Sequence, residues 1–284
     1  MLPAAVSEYI AAQGWGTIAH AQPVAGGCIN DGQVLTPSAG PRLFLKQNRS
    51  APSEMFRREA EGLFALASAP GAPRVPSVLL LSESFILLEY LAPAPGAANY
   101  WPELGRRLAA LHAATSDRFG FGHDNYLGAT PQPNGWTADG YAFFAEQRIC
   151  YQAARAHSRG RLSLATLRRV ERLAFKLPNL VPAQPASLLH GDLWLGNIIP
   201  GPDGQACLIE PAAHYGWAEA ELAMTALFGR PPETFFAAYS AQRPLAPGYP
   251  QRFDLYNLYH LLNHLNLFGA SYLPAVEAVL AQYT

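Results

Sequence analysis

The segment His190-Gly191-Asp192-Leu193-Trp194-Leu195-Gly196-Asn197 carries the sharpest chemical signal in the chain. An aspartate five residues before an asparagine, on a loop between short strands, is the layout used for phosphoryl transfer. The carboxylate of Asp192 takes or orients the proton of an attacking hydroxyl, and the amide oxygen of Asn197 ligates Mg²⁺. After Asn197 the chain passes a Pro200-Gly201-Pro202-Asp203-Gly204 turn and an apolar run, Cys207-Leu208-Ile209, and reaches Glu210. A carboxylate there would hold the cation that bridges nucleotide phosphates. Trp194, inside the loop, is the best candidate to stack on an acceptor, and Trp217 is a second. His260 and His264 are spaced i, i+4, but Leu261 stands where a zinc-binding H-E-x-x-H helix needs glutamate. They read as core or acceptor-facing histidines, with His260 an acceptor-side candidate.

The first ninety residues supply a complement. They read as strands around one helix: Ile18–Val24, Gln33–Thr36, Arg42–Gln47, Val78–Leu81 and Phe85–Tyr90, with a helix over Ser53–Ala67 whose N-cap would be Ser53. Gly26-Gly27-Cys28 reads as a turn whose backbone N–H groups could approach phosphates. Lys46, flanked by apolar residues on the third strand, can reach α/β-phosphates, and Glu59 on the helix can hold it in place. The chain has 20 Lys+Arg, and only Lys46 and Lys176 among them are lysine, so a lysine at this strand position stands out.

Later elements read as helices: one through Leu104, Leu108 and Leu111, then Ala142–His157 and Leu162–Leu177, a proline-punctuated loop over Pro178–Pro185, a short strand at Leu188-Leu189, and a mostly helical remainder from Glu219. The expectation is an α+β bilobal fold, with a β-rich lobe over 1–91 and a larger, mainly helical lobe over 92–284. A ligand cleft belongs between them. Composition narrows the partners. The net charge of −1 provides no broad basic field for nucleic acid. Three scattered cysteines build neither a disulfide scaffold nor a zinc knuckle and fit a reducing compartment. Glu83, Glu89 and prolines interrupt the most apolar stretch, Val75–Ala98, so no membrane span is expected, and the start lacks the basic region of a signal peptide. These readings point to a cytoplasmic protein.

Taken together, the Gly turn, strand Lys, helix Glu, linker, H-G-D…N and final acid stand in kinase order. The chain resembles the fructosamine kinases (ketosamine 3-kinases), within the protein-kinase-like and aminoglycoside-phosphotransferase-like superfamily. The resemblance rests on Gly26-Gly27-Cys28-Ile29-Asn30, Phe44-Leu45-Lys46, Phe56-x-x-Glu59-Ala60-Glu61-Gly62-Leu63, Phe119-Gly120-Phe121-Gly122-x-Asp124-Asn125-Tyr126-x-Gly128 and Pro131-Gln132-Pro133-Asn134-Gly135-Trp136. It continues through Phe143-Phe144-x-Glu146-Gln147-Arg148, His190-Gly191-Asp192-Leu193-Trp194 and the run Leu255 to His264.

The resemblance implies ATP-dependent phosphorylation of a sugar hydroxyl on a ketosamine, either a small molecule or a glycated protein, with release of the amine as deglycation repair. Carried over by residue, it makes Asp192 the catalytic aspartate, Asn197 and Glu210 the Mg²⁺ ligands, Lys46 the phosphate contact, Glu59 its partner, and Glu89-Tyr90-Leu91 the hinge for adenine. It also implies a monomer or a redox-sensitive homodimer linked through Cys28. One departure stands out. The family's usual Asp-Pro-Ala reads Glu210-Pro211-Ala212 here, and a second aspartate position, in the stretch Glu219 to Met224, reads Glu221. A longer carboxylate at the metal position raises Mn²⁺ as an alternative to Mg²⁺. Glu210 also leaves a nucleotide-binding module without catalysis as a competing reading, and the shared H-G-D…N motif leaves a same-fold kinase with another acceptor, such as an aminoglycoside, a choline-like alcohol or another sugar, against which the Pro131-Gln132-Pro133-Asn134-Gly135-Trp136 segment argues.

Overall fold

The computed structural model describes residues 2–24, 30–52 and 54–283. A five-stranded antiparallel sheet of order β1-β2-β3-β5-β4 comes first. Its strands are β1 (Ile18–Val24), β2 (Asp31–Pro37), β3 (Leu43–Gln47), β4 (Val78–Leu81) and β5 (Phe85–Glu89). Strand alternation gives the sheet two different faces. Leu43 and Leu45 of β3, with Phe85 and Leu87 of β5, pack against Val6 and Ile10 of helix α1 (Ala4–Ala12). Lys46, next after Leu45, therefore belongs to the opposite face, with its register partner Ile86, which joins the core built on helix α2 (Met55–Ser68).

Two helices thus flank this sheet, where the sequence suggested one. Helix α1 carries no clear helical signal in the sequence, because only Val6 and Ile10 of its nine residues are buried. Helix α2 begins at Met55 rather than Ser53. Ser53, the expected N-cap, lies outside the described residues.

Helices dominate the remainder: α3 (Tyr100–Ala113), α4 (Gly140–Phe144), α5 (Tyr151–Ser158), α6 (Leu164–Leu180), α7 (Ala218–Thr225), α8 (Glu233–Gln242), α9 (Phe253–Phe268) and α10 (Leu273–Tyr283). The helix expected over Ala142–His157 is interrupted by a π-helical turn, Ala145–Cys150, which carries Arg148 into the interior. Helix α6 runs through Pro178 instead of ending before it. A proline in the final turn forfeits a single helical hydrogen bond, and Val181 N–H closes the helix on the Leu177 carbonyl at 2.9 Å. Short strands that the sequence did not signal appear at β6 (Thr115–Ser116), β7 (Asn125–Leu127), β8 (Thr130–Gln132) and β12 (His214–Gly216). Among the described residues, no helix is long and apolar enough to cross a membrane.

Strand β9 (Ala186–Leu189) is central in the sheet β12-β9-β6 and delivers the chain into the loop 190–197. The hairpin β10 (Ile198–Pro200) and β11 (Ala206–Leu208) follows at once. Gly191 has φ +85°, and a Cβ there would sit 2.1 Å from the Ala212 carbonyl oxygen, so the turn requires glycine. Glu221 on α7 clamps this turn. Its carboxylate accepts the N–H groups of His190 at 3.0 Å and Gly191 at 2.7 Å, and meets His112 Nε2 of α3 at 2.9 Å. His112 Nδ1 in turn contacts the Tyr239 hydroxyl at 2.8 Å.

Burial opposes the charge on Glu221, but the bonds and charges of His112, His190 and the Gly191 amide outweigh it and hold the carboxyl below its ordinary value. A lowered folded-state pKa contributes stability above the unfolded pKa, and that stability is lost as pH falls through the folded value. Glu221→Gln should therefore cost about 3 kcal/mol at pH 7. In urea unfolding, the gap to wild type should narrow as pH drops below the ordinary carboxyl value of 4.5. A gap below about 0.5 kcal/mol at pH 7, the range of inconsequential surface changes, would show that the clamp is dispensable.

Candidate active site between the lobes

Lys46 is only 5% exposed. Its ammonium lies 2.8 Å from Glu59 Oε1 of α2 and 3.0 Å from Glu210 Oε1, just beyond β11. Burial disfavours the charge, yet the two carboxylates more than offset it and hold Lys46 above the ordinary lysine value. Glu210 sits at φ +59°, a left-handed conformation uncommon for a residue other than glycine. Its carboxyl is held below the usual carboxylate range chiefly by Lys46.

The loop supplies Asp192 and Asn197. Asn197 Nδ2 donates to the Asp192 carbonyl at 2.8 Å and to Asp192 Oδ2 at 3.3 Å, which turns the amide oxygen of Asn197 away as a free acceptor. Burial pushes the Asp192 carboxyl up to about 7, helped by the negative charges of Glu210 and Glu221 and opposed by the Asn197 bond. The hairpin exit is tied to the same loop, with Ile209 N–H donating to the Asn197 carbonyl at 3.1 Å and His190 Nε2 2.9 Å from the Ile209 carbonyl. The Trp194 indole lies over Gly196, where a Cβ would come within 2.2 Å of the ring.

Two cavities meet at the Lys46–Glu59–Glu210 cluster. One, of about 330 Å³, is walled by Val34, Phe44, Leu88, Tyr90, Leu91 and Ile209. The Glu89 side chain leaves the strand to pair with Arg74 and accept the Ser77 N–H at 3.2 Å, and the Tyr90 ring lies under the Arg42 guanidinium at 4.6 Å. The other cavity, of about 200 Å³, is lined by Asp192, Trp194, Asn125, Asn263, His264 and Phe268. The three charged residues border both, whereas Asp192 and Trp194 border only the second.

The structure separates the other candidates from this site. Gly26, Gly27 and Cys28 lie outside the described residues. Trp217 is buried among Phe119, Tyr141, Phe144 and Tyr256, with the nearest ring centroids at 5.3 Å, and does not line the 200 Å³ cavity. His260 is likewise buried, and it shares with Trp217 a small interior void behind the loop. His264, one turn later, reaches the cavity instead. Helix α9 is apolar on nearly every side, so its sequence carries no facing signal to distinguish the two histidines.

A buried polar network, which residue spacing does not reveal, acts as a positioning device. Asn125 Nδ2 donates to the Ala213 carbonyl at 2.8 Å, and Gln132 Nε2 to the Ala212 carbonyl at 3.1 Å and to Asn125 Oδ1 at 2.7 Å. Asn134 Nδ2 also reaches Asn125 Oδ1, at 2.9 Å. Arg148 braces Asn134 at 2.8 Å, and the Tyr259 hydroxyl donates to Gln132 Oε1 at 2.6 Å. These bonds fix the backbone immediately after Glu210-Pro211. The P-Q-P-N and E-Q-R motifs therefore have a physical role here, which is to aim the acid.

The donor set suits a hard divalent cation. Asn197 Oδ1 and the Glu210 carboxylate are oxygen ligands. Among the described residues, no cluster of three or more His, Cys, Asp or Glu is preset to enclose a metal. A cation held here would complete its shell with phosphate oxygens and water, as Mg²⁺ does.

Known proteins similar to this chain are named as kinases. A probable ketoamine kinase of Synechocystis is 42% identical over 93% of this chain and 90% of its own. A chloroplastic protein-ribulosamine 3-kinase of Arabidopsis thaliana is 38% identical over 98% of this chain and 87% of its own. A crystal structure of a protein named as a fructosamine-3-kinase, from Thermobifida fusca, superposes with a TM-score of 0.89 at 33% identity, covering 99% of this chain and 98% of that one. A macrolide 2'-phosphotransferase of Brachybacterium faecium shares the fold at a TM-score of 0.65 and 17% identity, over 97% of each chain. The fructosamine kinase family model matches residues 2–284, and with it the protein-kinase-like α+β architecture is accounted for from end to end: the chain belongs to the fructosamine kinase family.

Proposed function

We propose that this protein is an ATP-dependent phosphotransferase that phosphorylates a sugar hydroxyl of ketosamines. The observation that carries the reading is the pair of cavities meeting at Lys46, Glu59 and Glu210, with Asp192 on one side only. The apolar cavity under β2, β3 and β5 accepts the nucleotide base at Tyr90 and Leu91. The division into a nucleotide lobe over 1–91 and an acceptor lobe over 92–284 is part of the proposal, as is a cytoplasmic setting.

In this reading Lys46 contacts the phosphates, and Glu59 keeps it aimed from α2. Asn197 and Glu210 would hold Mg²⁺ or Mn²⁺, which when bound neutralises charge developing on the phosphate oxygens. Asp192 holds the acceptor hydroxyl by its proton and aims it into the nucleotide side of the cleft. Its raised pKa keeps it a competent proton acceptor near neutral pH. Most of the acceleration comes from positioning and charge complementarity, because phosphoryl transfer passes through a loose transition state.

Asp192→Asn should lower kcat by about 10²–10⁴-fold, the range typical of a lost general base, while calorimetry shows ATP affinity within about twofold of wild type. Retention of near-normal turnover would remove Asp192 from the chemistry. A screen of ketosamines beside aminoglycosides should show ADP release only with the former, and preference for an aminoglycoside would reassign the acceptor. Glu210→Gln removes one partner of Lys46 and one proposed metal ligand. We expect ATP binding to lose most of its dependence on added Mg²⁺ or Mn²⁺, measured by titration calorimetry with metal and with chelator. Unchanged metal dependence would place the cation elsewhere.

A further inference from the structure

Helix α2 carries a glycine, Gly62, in its buried interior. Glycine is the poorest helix former after proline, so its presence there needs a cause. Backbone conformation does not supply one, because the φ of Gly62 is not positive. The cause is close approach. A Cβ at residue 62 would lie 3.2 Å from Pro211 Cγ, 3.4 Å from Ala213 Cβ and 3.6 Å from Pro211 Cβ. The first of these is tighter than nine in ten Cβ contacts in proteins. The backbone of α2 therefore rests directly on the segment that follows Glu210.

Gly62 shares a stripe of α2 with Met55, Glu59 and Leu66, all of them buried. Glu59 lies one turn before it and holds Lys46 at 2.8 Å. The seat under Gly62 is firmly held. Asn125 Nδ2 donates to the Ala213 carbonyl at 2.8 Å, and Gln132 Nε2 to the Ala212 carbonyl at 3.1 Å. Ala212 N–H donates to the His190 carbonyl at 2.9 Å, which joins the seat to the turn that bears Asp192. Pro211 adds a ring that fixes its own φ. A group added at residue 62 therefore displaces α2 rather than the seat.

Resting on the phosphotransferase reading above, we propose that Gly62 is a positioning residue. It lets α2 take its height from residues 211–213, so that Glu59 and Glu210 are placed by one block and close on Lys46 from two sides. Glu210 leaves the chain immediately before that block, and Glu59 is carried one helical turn from it. The separation of the two carboxylates is thus set by backbone against a proline ring, and the first sheet does not determine it. A methyl group at residue 62 lifts α2, draws Glu59 off Lys46 and leaves Glu210 in place. Lys46 then keeps one counter-charge and loses its aim toward the phosphates.

Gly62→Ala tests this by structure and by kinetics. In its crystal structure the Lys46–Glu59 separation should open beyond about 3.5 Å, past hydrogen-bond reach, with Lys46–Glu210 still at 3.0 Å. An unchanged Lys46–Glu59 pair would overturn the proposal whatever the activity. In turnover, kcat/KM for ATP should fall about tenfold, less than the roughly hundredfold cost of a full misplacement of about 1 Å. KM for the ketosamine should stay within about twofold of wild type. Glu59→Gln should lower kcat/KM in the wild-type background but change the Gly62→Ala enzyme less than about twofold, because the pair is already open. Pro211→Ala removes the atom nearest the added methyl, so the double variant Gly62→Ala/Pro211→Ala should come within about threefold of Pro211→Ala alone. Additive losses from Gly62→Ala and Glu59→Gln, or no recovery with Pro211→Ala, would make residue 62 a site of general packing and overturn the positioning role. A wild-type enzyme that transfers no phosphate from ATP would overturn the phosphotransferase reading, and the crystal structure of Gly62→Ala would still decide the seat.

Discussion

A lysine buried to 5% exposure between two carboxylates is the constraint around which this molecule is arranged. An ammonium taken out of water needs close counter-charge, and one carboxylate would leave it neutralised but not directed. Glu59 comes from a helix on one face of the first sheet, and Glu210 comes from a hairpin exit more than a hundred residues later. The pair therefore aims Lys46 and at the same time ties the two halves of the chain across the cleft. Strand alternation delivers Lys46 to this point, because Leu43 and Leu45 are claimed by α1 on the other face.

The helical part of the chain is organised to present a few backbone positions accurately. Glu221 grips the amides of residues 190 and 191, and Asn125 and Gln132 grip the carbonyls of residues 212 and 213. Between these grips run Asp192, Asn197 and Glu210. Both supports are buried and closely satisfied, the condition under which polar networks rigidify rather than weaken a core. The substitution of glutamate for the family's aspartate at residue 210 is compatible with this frame. The longer side chain, launched from a left-handed backbone, spans to Lys46 at 3.0 Å.

Much of this was legible in the sequence. The β-rich first lobe followed from apolar alternation, and Lys46, Glu59, Asp192, Asn197 and Glu210 were recognisable by type and order. Other features were hidden for physical reasons. Helix α1 buries two residues and has no wide apolar stripe. Strands β6 to β8 and β12 are two or three residues long, too short for a period to register. The partners of Gln132, Arg148 and Glu221 lie far away in sequence or are backbone groups, which residue spacing does not reveal. Trp217 and His260 illustrate the converse: a ring or imidazole near a motif can face the core as readily as the ligand, and here both face the core.

In the proposed reaction, phosphate donor and acceptor hydroxyl meet across the Lys46–Glu59–Glu210 cluster with Asp192 on the acceptor side. The most direct measurement is a crystal structure with a non-hydrolysable ATP analogue, Mn²⁺ and a ketosamine bound together. The expected result is the terminal phosphate beside Lys46, the cation on Asn197 and Glu210, and a sugar hydroxyl within hydrogen-bond distance of Asp192. An acceptor seated with every hydroxyl away from Asp192, or a nucleotide outside the apolar cavity at Tyr90 and Leu91, would contradict it.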